Sequence, residues 1–312
     1  MTLKLGSKGE QVKVLQTFLG ITADGDFGPN THVAVKRYQR EHGLTDDGIV
    51  GPQTWAHMAI ATTDSAERID QPSPEITINQ HFLPDGEFFP GPTTKEWVFL
   101  HHTAGWQNPH KVITDWAGDK RGPVATEFVI GGASIKGDND KFDGEIVQAF
   151  PAGGYGWHLG VGNTSMHRNS VGIEVCCFGQ LTEGGYTKEV DGANVWTPKT
   201  PGKYYTYVGT EAHPNQIEKL LQPFRGFSFW HRYSNTQLVA LKELILFIAS
   251  RDNIDVRKGL PELIKEKGTT AFDFCDVNHV STHPGLWCHA NVSTSKVDMF
   301  PQPELMDMLL EL

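Results

Sequence analysis

The chain has 312 residues, of which 38% are hydrophobic and 10% aromatic, which suits packed cores and excludes a disordered chain. Two domains are expected at this length, because a typical domain holds about 100–200 residues. The formal net charge of −10 and the lack of a basic run argue against a nucleic-acid partner, and no stretch approaches the ~20 apolar residues of a membrane span.

The first 60 residues contain an internal repeat. Asp24-Gly-Asp-Phe-Gly-Pro-Asn-Thr31 recurs 23 residues later as Asp47-Gly-Ile-Val-Gly-Pro-Gln-Thr54. In each copy Asp-Gly predicts a tight turn and Gly-Pro predicts the start of a helix, because proline suits the first helical turn. Apolar spacing also predicts helices from about Glu10 to Leu19 and over Thr31–His42, the second ended by Gly43. Residues 1–60 are therefore predicted to form a small helical domain.

A polar, proline-bearing stretch at about 61–77 is predicted to be an interdomain linker. Residues 78–312 then alternate apolar strands with helices, which predicts an α/β sandwich around a mixed sheet. The clearest helix is Ser234–Arg251, capped by Ser234 or Asn235. The other predicted elements are strands at Trp97–His101, Glu127–Ile130, Ile146–Phe150 and Val171–Phe178 and a helix beginning near Val112–Trp116.

Residues 179–233 form an aromatic-rich insertion directly after the fourth predicted strand. Aromatic side chains with a polar tip suit sugar and peptide binding at the mouth of a cleft. They equally suit a small satellite core, which is the more common outcome. The aromatic residues are Tyr186, Trp196, Tyr204, Tyr205, Tyr207, Phe227, Phe229 and Trp230.

Two distant segments carry residues suited to a metal site: Leu100-His-His-Thr-Ala104, and His289-Ala-Asn-Val-Ser-Thr-Ser-Lys-Val-Asp298 near the C-terminus. Histidine and aspartate are good zinc ligands, and zinc with three protein ligands keeps a fourth position open for water. Lys296 would place a positive charge where an oxyanion forms. Between them, Asn169-Ser-Val-Gly-Ile-Glu174 is a strand-like run ending on a carboxylate that can serve as a base. This set is typical of zinc hydrolases.

Three of these positions have structural alternatives. His102 follows His101 and points to the opposite face of a strand, so it is interpreted as a packing or surface histidine. His283 could replace His289 as a ligand. Glu174 could be an ion-paired strand carboxylate, although burying an unpaired charge is costly and a metal-bound water with Lys296 would compensate it.

Four motifs in the same order give residues 78–312 a resemblance to the zinc-dependent N-acetylmuramoyl-L-alanine amidases of the type-2 family. The resemblance implies that His101, His289 and Asp298 hold Zn²⁺. It implies that Glu174 is the catalytic base and that Lys296 stabilises the oxyanion.

The same resemblance covers a further histidine and the N-terminal repeat. His158, in Gly156-Trp-His-Leu-Gly160, matches a family position near the site and either orients the substrate carbonyl or is a structural histidine. The doubled Asp-Gly-x-x-Gly-Pro-x-Thr of residues 1–60 is similar to the three-helix peptidoglycan-binding domain that is common in wall hydrolases.

The chain departs from the amidase pattern at three places. The usual Asp-Pro-Gly after the third ligand reads Asp298-Met-Phe-Pro301, and the usual glycine before the second histidine is Cys288. The strand that often reads Tyr-His-Phe is Thr126-Glu-Phe128, so the aromatic hydroxyl of some members is missing. These differences affect the detail of the site, since the four functional positions are intact.

The resemblance implies a peptidoglycan hydrolase that cleaves the amide bond between N-acetylmuramic acid and L-alanine, with the glycan strand and stem peptide as its partner. A monomeric phage endolysin is the expected setting, with a bacterial autolysin or a toxin exported by another route as the alternatives. One alternative is a non-catalytic peptidoglycan-recognition protein, although such relatives typically lose the third ligand. The other is a zinc peptidase acting on the stem peptide, although a Ser-x-His-x-x-Gly-x-Ala-x-Asp segment is missing.

The N-terminus lacks the apolar core of a secretory signal, and four cysteines do not make a disulfide framework in a chain of this size. Cys176 and Cys177 are predicted to point to opposite faces as reduced core thiols, and Cys288 beside His289 either packs or competes for zinc. These features predict a protein made in the cytoplasm that acts on the cell wall after release.

Overall fold

The computed structural model describes residues 2–19, 21–51, 53–55, 57–58, 76–162 and 164–312. It divides the chain into two compact units, Met1–Glu75 and Ile76–Leu312. Most of the predicted linker lies outside the described residues, so the boundaries of that linker stay a prediction.

The N-terminal unit contains helix α1 at Glu10–Phe18, helix α2 at Pro29–Glu41, and further helical residues at 53–55 and 57–58. Pro29 stands at the start of α2, and Gly43 follows its end with φ of 66°, as the sequence predicts. Side chains from both helices and both repeats meet in one small core, made by Leu3, Val12, Leu15, Leu19, Phe27, Ala34, Val35, Tyr38, Val50 and Met58.

Two buried glutamines explain the sequence repeat. In the first copy, Gln16 Nε2 donates to Asp24 Oδ1 at 2.7 Å, to Asp26 O at 3.0 Å and to Thr31 Oγ1 at 3.0 Å. The backbone N–H of Gly25 donates back to Gln16 Oε1 at 2.8 Å.

Gln39 makes the same set of bonds in the second copy, to Asp47 Oδ1, Ile49 O and Thr54 Oγ1, while Gly48 N–H donates to Gln39 Oε1. Each glutamine therefore ties the Asp-Gly turn to the helix that follows it. The repeated aspartate, glycine and threonine are therefore the partners of a buried glutamine in each copy.

Replacing Gln16 with alanine is expected to destabilise the N-terminal unit by about 2–3 kcal/mol, because it leaves several buried polar groups without partners. Gln16 is 1% exposed, whereas Gln11 on the same helix is exposed, so Gln11→Ala is a matched control that should change stability by less than about 0.5 kcal/mol. Native-state hydrogen exchange of α1 and α2 measures both effects. Equal protection in the two variants would contradict a stabilising role for the network.

Twelve strands lie in the described part of the second unit. They are β1 Ile78–Gln80, β2 Trp97–His102, β3 Phe128–Ile130, β4 Ile146–Gln148, β5 Ser170–Val175, β6 Gln180–Glu183, β7 Gly185–Val190, β8 Ala193–Pro198, β9 Tyr204–Tyr205, β10 Ile217–Phe224, β11 Phe227–His231 and β12 Gly285–Cys288.

The helices flank these strands. They are α3 Pro109–Trp116, α4 Thr164–Arg168, α5 Asn235–Asp252, α6 Leu260–Lys267, α7 Val277–Thr282 and α8 Pro303–Leu310. Helix α3 begins before the predicted segment because the Asn108 side chain accepts from the backbone N–H groups of His110 and Lys111. Helix α5 is capped by Ser234, whose bond from Gln237 N–H completes a capping box.

A six-stranded mixed sheet has the order β1-β4-β3-β5-β2-β12. Strands β3, β5, β2 and β12 run parallel, and β4 runs antiparallel to β3. The predicted mixed α/β sheet with flanking helices is therefore confirmed. Because parallel strands end at one edge, residues at the carboxyl ends of β5, β2 and β12 come together there.

The two faces of this sheet are covered differently. On one face Val98, Leu100 and Ile173 pack with Leu241 and Ile245 of α5 in the main core. The other face carries two smaller clusters, one at β3 and β4 and one at β2 and β12. This second face also carries the side chains of His101 and Glu174, which alternate with the core residues.

The insertion builds a four-stranded sheet in the order β10-β11-β6-β9 and a separate β7–β8 hairpin. Tyr204 and Phe229 pack on a satellite core formed by Ile135, Phe178, Leu181 and Ala212, while Trp230 is buried in the main core. Tyr207 is half exposed, and its hydroxyl donates to Ala104 O at 2.8 Å. Most of the aromatic residues thus have a packing role, and Tyr207 connects the insertion to the segment that follows β2.

Among the described residues, no helix combines the length and the apolar character needed to cross a membrane.

Candidate metal centre

Strand register brings three of the predicted site residues to one level. His101 of β2 pairs with Glu174 of β5, and Leu100 pairs with Cys288, the residue before His289. His101 therefore lies between Glu174 on one side and His289 on the other. Asp298 joins them at the end of an irregular loop, anchored by a backbone bond from Ala290 N–H to Asp298 O at 3.1 Å.

Three donor atoms converge at this point. His101 Nδ1 lies 3.0 Å from His289 Nδ1, His289 Nδ1 lies 3.1 Å from Asp298 Oδ2, and His101 Nδ1 lies 3.4 Å from Asp298 Oδ2. All three residues are buried, with 1%, 4% and 7% exposure. Among the described residues, His101, His289 and Asp298 form a group whose potential ligand atoms lie close enough together to bind one metal ion.

The far nitrogen of each histidine is held by the protein. His289 Nε2 lies 2.9 Å from Leu159 O, and a carbonyl only accepts, so Nε2 carries the proton and Nδ1 has a lone pair. His101 Nε2 lies 2.9 Å from His158 Nδ1, and His158 Nε2 lies 2.8 Å from Ser170 Oγ. Since Ser170 Oγ donates to His167 O at 3.3 Å, His158 donates to Ser170 and His101 donates to His158.

We call the hydrogen-bonded chain from His101 through His158 to Ser170 the relay. Together with the Leu159 bond it leaves Nδ1 of His101 and of His289 unprotonated and facing Oδ2 of Asp298, an arrangement that is repulsive without a cation. Burial lowers the pKa of His101 to about 4, so the imidazole is neutral at pH 7. Burial also acts to raise the pKa of Asp298, but the two imidazoles beside it outweigh that effect and hold the pKa below its ordinary value.

The donor set fits Zn²⁺. In a tetrahedral site with ligand distances of roughly 2.0–2.2 Å, neighbouring donor atoms lie roughly 3.3–3.5 Å apart, close to the separations of these three atoms. Hydrogen bonds to the second nitrogen of each histidine are also the usual support of a zinc ligand.

The Ser-Val-Gly-Ile-Glu segment of β5 serves the site with three alternate residues. Ser170 accepts from His158, and Glu174 points into the cleft. A Cβ on Gly172 would lie 2.7 Å from Thr126 Cγ2 and 3.2 Å from His158 Nδ1. Glycine is therefore needed between them to leave room for the His158 ring.

Glu174 is the second unusual group of the site. Its Oε2 is buried and has no hydrogen-bond partner among the residues that the structure describes. Burial raises the pKa of Glu174 well above its ordinary value, Asp298 raises it further, and Lys296 lowers it. A carboxylate that meets no ion-pair partner in the described residues, beside a metal-type donor set, is suited to proton transfer.

The three donor residues and Glu174 line a cleft of about 350 Å³, together with Arg121 and the exposed Lys296. Trp116 and Trp157 also line it, whereas no described aromatic residue of the insertion does. The prediction that the insertion's aromatic residues flank the cleft mouth therefore finds support only in the contact of Tyr207 with Ala104.

The imidazoles of His102 and His283, which the sequence raised as alternatives, do not join the three donor atoms. His102 is buried on the opposite face, where its Nδ1 lies 2.8 Å from the Tyr233 hydroxyl. His283 is stacked on His279 at 3.9 Å between ring centroids and lines a different cavity of about 590 Å³ at the amino end of β12. All of strand β12 separates His283 from His289.

The cysteines are all free thiols. Cys288 Sγ donates to Asn291 Oδ1 at 3.1 Å, and burial raises the pKa of its thiol to about 12, so it is a packing residue. Cys176 and Cys177 belong to different hydrophobic clusters, as expected for residues on opposite faces.

Sequence reasoning did not identify Ser170, Gly172 or the Leu159 carbonyl as parts of the site. The alternation of Ser170, Gly172 and Glu174 on one face of a strand was a usable signal for the first two. The Leu159 carbonyl carries no side-chain signal and could be found only from the structure.

Residues 8–58 match a family model described as "Putative peptidoglycan binding domain". The N-terminal unit contains a domain of this family. The resemblance predicted from the doubled Asp-Gly-x-x-Gly-Pro-x-Thr motif is confirmed.

Two curated relatives match short stretches of the chain. An uncharacterized protein of Kitasatospora aureofaciens is 43% identical over 63 residues, which cover 18% of this chain and 53% of that protein. A zinc D-Ala-D-Ala carboxypeptidase of Streptomyces albus G is 45% identical over 62 residues, covering 17% of this chain and 24% of that enzyme. The chain thus spans about half and about a quarter of the lengths of these relatives.

A solved structure is similar over a larger part of the chain. The catalytic domain of XlyA aligns with 75% of this chain and 99% of its own length, at 14% identity and a TM-score of 0.36.

Replacing Ser170 with alanine is expected to weaken zinc binding by about 10-fold or more, because His158 loses its acceptor and no longer orients His101. Ser165 is an exposed serine of the preceding helix, so Ser165→Ala serves as the matched control. Competition with a chromophoric chelator measures both affinities. Equal affinities in the two variants would show that the relay does not support the ligand.

Proposed function

We propose that this protein is a peptidoglycan hydrolase of the zinc amidase type. The observation that carries the proposal is the convergence of two histidine nitrogens and one carboxylate beside the unpartnered carboxyl of Glu174 in an open cleft. The N-terminal domain belongs to a peptidoglycan-binding family, which supports peptidoglycan as the polymer on which such a site would act.

We assign the substrate bond as the amide between N-acetylmuramic acid and L-alanine. The sequence motifs around His101, Glu174, Lys296 and Asp298 support this choice, because they occur together in the order of the type-2 amidases. The peptide and lactyl groups on either side of that bond are polar and extended, which suits an open cleft lined by Trp116 and Trp157.

His101, His289 and Asp298 would hold the zinc ion. When bound there, zinc lowers the pKa of a water molecule toward about 7 and polarises the substrate carbonyl. Glu174 accepts the proton of the attacking water and delivers it to the leaving amine. Lys296 stabilises the negative charge that develops on the carbonyl oxygen, and His158 keeps the ring of His101 in place.

The N-terminal domain would hold the enzyme on the insoluble wall and raise its local concentration there. Such an effect needs no contact between the domain and the catalytic cleft. We propose that the protein works in this way as a monomeric phage endolysin, acting on the wall after its release from the cytoplasm.

The deciding experiment is digestion of purified peptidoglycan by the zinc-loaded protein, followed by mass spectrometry of the soluble fragments. We expect free stem peptides with an L-alanine amino terminus and intact glycan strands. Fragments cut within the stem peptide would show a peptidase, and binding without release of fragments would show a recognition protein.

A further inference from the structure

The hairpin between β10 and β11 ends in an unusual turn. Phe224 pairs with Phe227, and the two residues between them, Arg225 and Gly226, both have positive φ, 47° and 86°. Such turns favour Asn-Gly, and the left-handed conformation is unfavourable for arginine, whose Cβ crowds the following carbonyl oxygen. An interaction of the Arg225 side chain must offset that cost.

The Arg225 guanidinium donates hydrogen bonds to four backbone carbonyls. Its Nη1 donates to Ser293 O at 3.0 Å, to Thr294 O at 2.6 Å and to Lys296 O at 2.6 Å, and its Nη2 donates to Ala290 O at 3.1 Å. The side chain is only 12% exposed.

All four carbonyls belong to the loop from His289 to Asp298. This loop contains two of the three metal donors and Lys296. Its own backbone hydrogen bonds, among the described residues, use the carbonyls of His289, Ser293 and Asp298 but not those of Ala290, Thr294 and Lys296. Converging carbonyl dipoles repel one another, and a planar guanidinium with five donors is the side chain best able to hold several at once.

Arg225 also lies 3.5 Å from Asp273 Oδ1, but that carboxylate is 51% exposed. A half-exposed ion pair contributes little, so the contact with Asp273 does not explain a buried arginine in a left-handed turn. The four hydrogen bonds from Arg225 to the loop carbonyls explain both the burial of this arginine and its left-handed conformation.

We propose that Arg225 is a positioning residue that fixes the conformation of the 289–298 loop and thereby the placement of Asp298 and Lys296 at the metal. The aromatic insertion would then have a role in catalysis through the tip of one hairpin. This proposal rests on the function proposed above only for its effect on turnover, because the loop contact is independent of the reaction.

The test compares Arg225→Ala and Arg225→Lys in the full-length protein. Lysine keeps the charge but lacks the planar fork, so it should restore the wild-type behaviour only in part. Hydrogen exchange of residues 289–298 is measured in the metal-free protein, zinc affinity by chelator competition, and kcat and KM on a soluble muropeptide.

We expect faster exchange in this loop and zinc affinity lower by about 10–100-fold in Arg225→Ala. We expect kcat to fall and KM to change little, since Arg225 does not line the cleft. Arg232→Ala is the control, because Arg232 belongs to the same insertion but donates to Glu304 on α8, and it should leave loop exchange and zinc affinity unchanged.

Wild-type loop exchange and zinc affinity in both Arg225 variants would overturn the proposal, as would an equal effect of Arg232→Ala. If the wild-type protein neither bound zinc nor cleaved peptidoglycan, the proposed function would be refuted, whereas faster loop exchange in Arg225→Ala would still show that Arg225 fixes the loop.

Discussion

Replacement of Glu174 by glutamine is expected to lower turnover by about 10²-fold or more while zinc content and folding stay close to wild type. Glutamine has nearly the same shape but cannot take a proton from water. The buried Oε2 of Glu174 has no partner in the described residues that the amide would disturb. Turnover on peptidoglycan, zinc stoichiometry and the thermal unfolding midpoint together measure the outcome.

Lys296→Ala is the companion variant. It should also retain zinc and lose turnover, because Lys296 is exposed and is not a metal donor. Lys296 lowers the pKa of Glu174, so removing it should move the acidic limb of the pH–rate profile to higher pH. That direction follows because a base must be deprotonated to act, and its fraction deprotonated falls as the pH drops through its pKa. Full activity of Glu174→Gln would remove Glu174 from the mechanism.

Replacement of His289 by alanine is expected to abolish stoichiometric zinc binding and hydrolysis. Its Nδ1 is one of three donor atoms, and the other two cannot close a zinc site without it. His283→Ala is the matched control, because it removes an exposed imidazole of the same terminal region at the other end of β12.

Metal analysis after dialysis distinguishes the two histidine variants. We expect His283→Ala to retain one zinc ion and wild-type turnover, and chelation of the wild-type protein to abolish activity. A zinc-free His283 variant with a zinc-loaded His289 variant would mean that the second ligand is misassigned.

The sequence allowed much of the fold to be predicted because its local patterns are strong. The helix at α5 follows from its cap and from the spacing of Leu238, Leu241, Ile245 and Ile248, all of which are buried. The strands β2 and β5 follow from short apolar runs. The pairing of these strands could not be predicted in this way. Neighbours in the order β5-β2-β12 are far apart in the chain, and local sequence patterns carry no information about which strands pair.

In the candidate site, too, local motifs identified some of the residues, while contacts between distant segments could be found only from the structure. Motifs identified His101, Glu174, His289, Lys296 and Asp298, and the structure brings them to one cleft. The relay through His158 to Ser170 depends on the packing of a loop against a strand, so motif reasoning left open whether His158 orients the substrate carbonyl or is a structural histidine. The contacts of Arg225 with the loop carbonyls had no sequence signal, because an arginine in a hairpin resembles any exposed cation.

The position of β12 at the edge of the main sheet bears on when the proposed metal centre is completed during synthesis of the chain. His101 and Glu174 can reach their places once β2 and β5 have paired, but His289 and Asp298 follow β12, near the C-terminal end of the chain. A nascent chain on the ribosome therefore lacks two of the three donors until translation has passed Asp298. The same order leaves any product of premature termination before β12 without two of the three donors of the proposed metal centre.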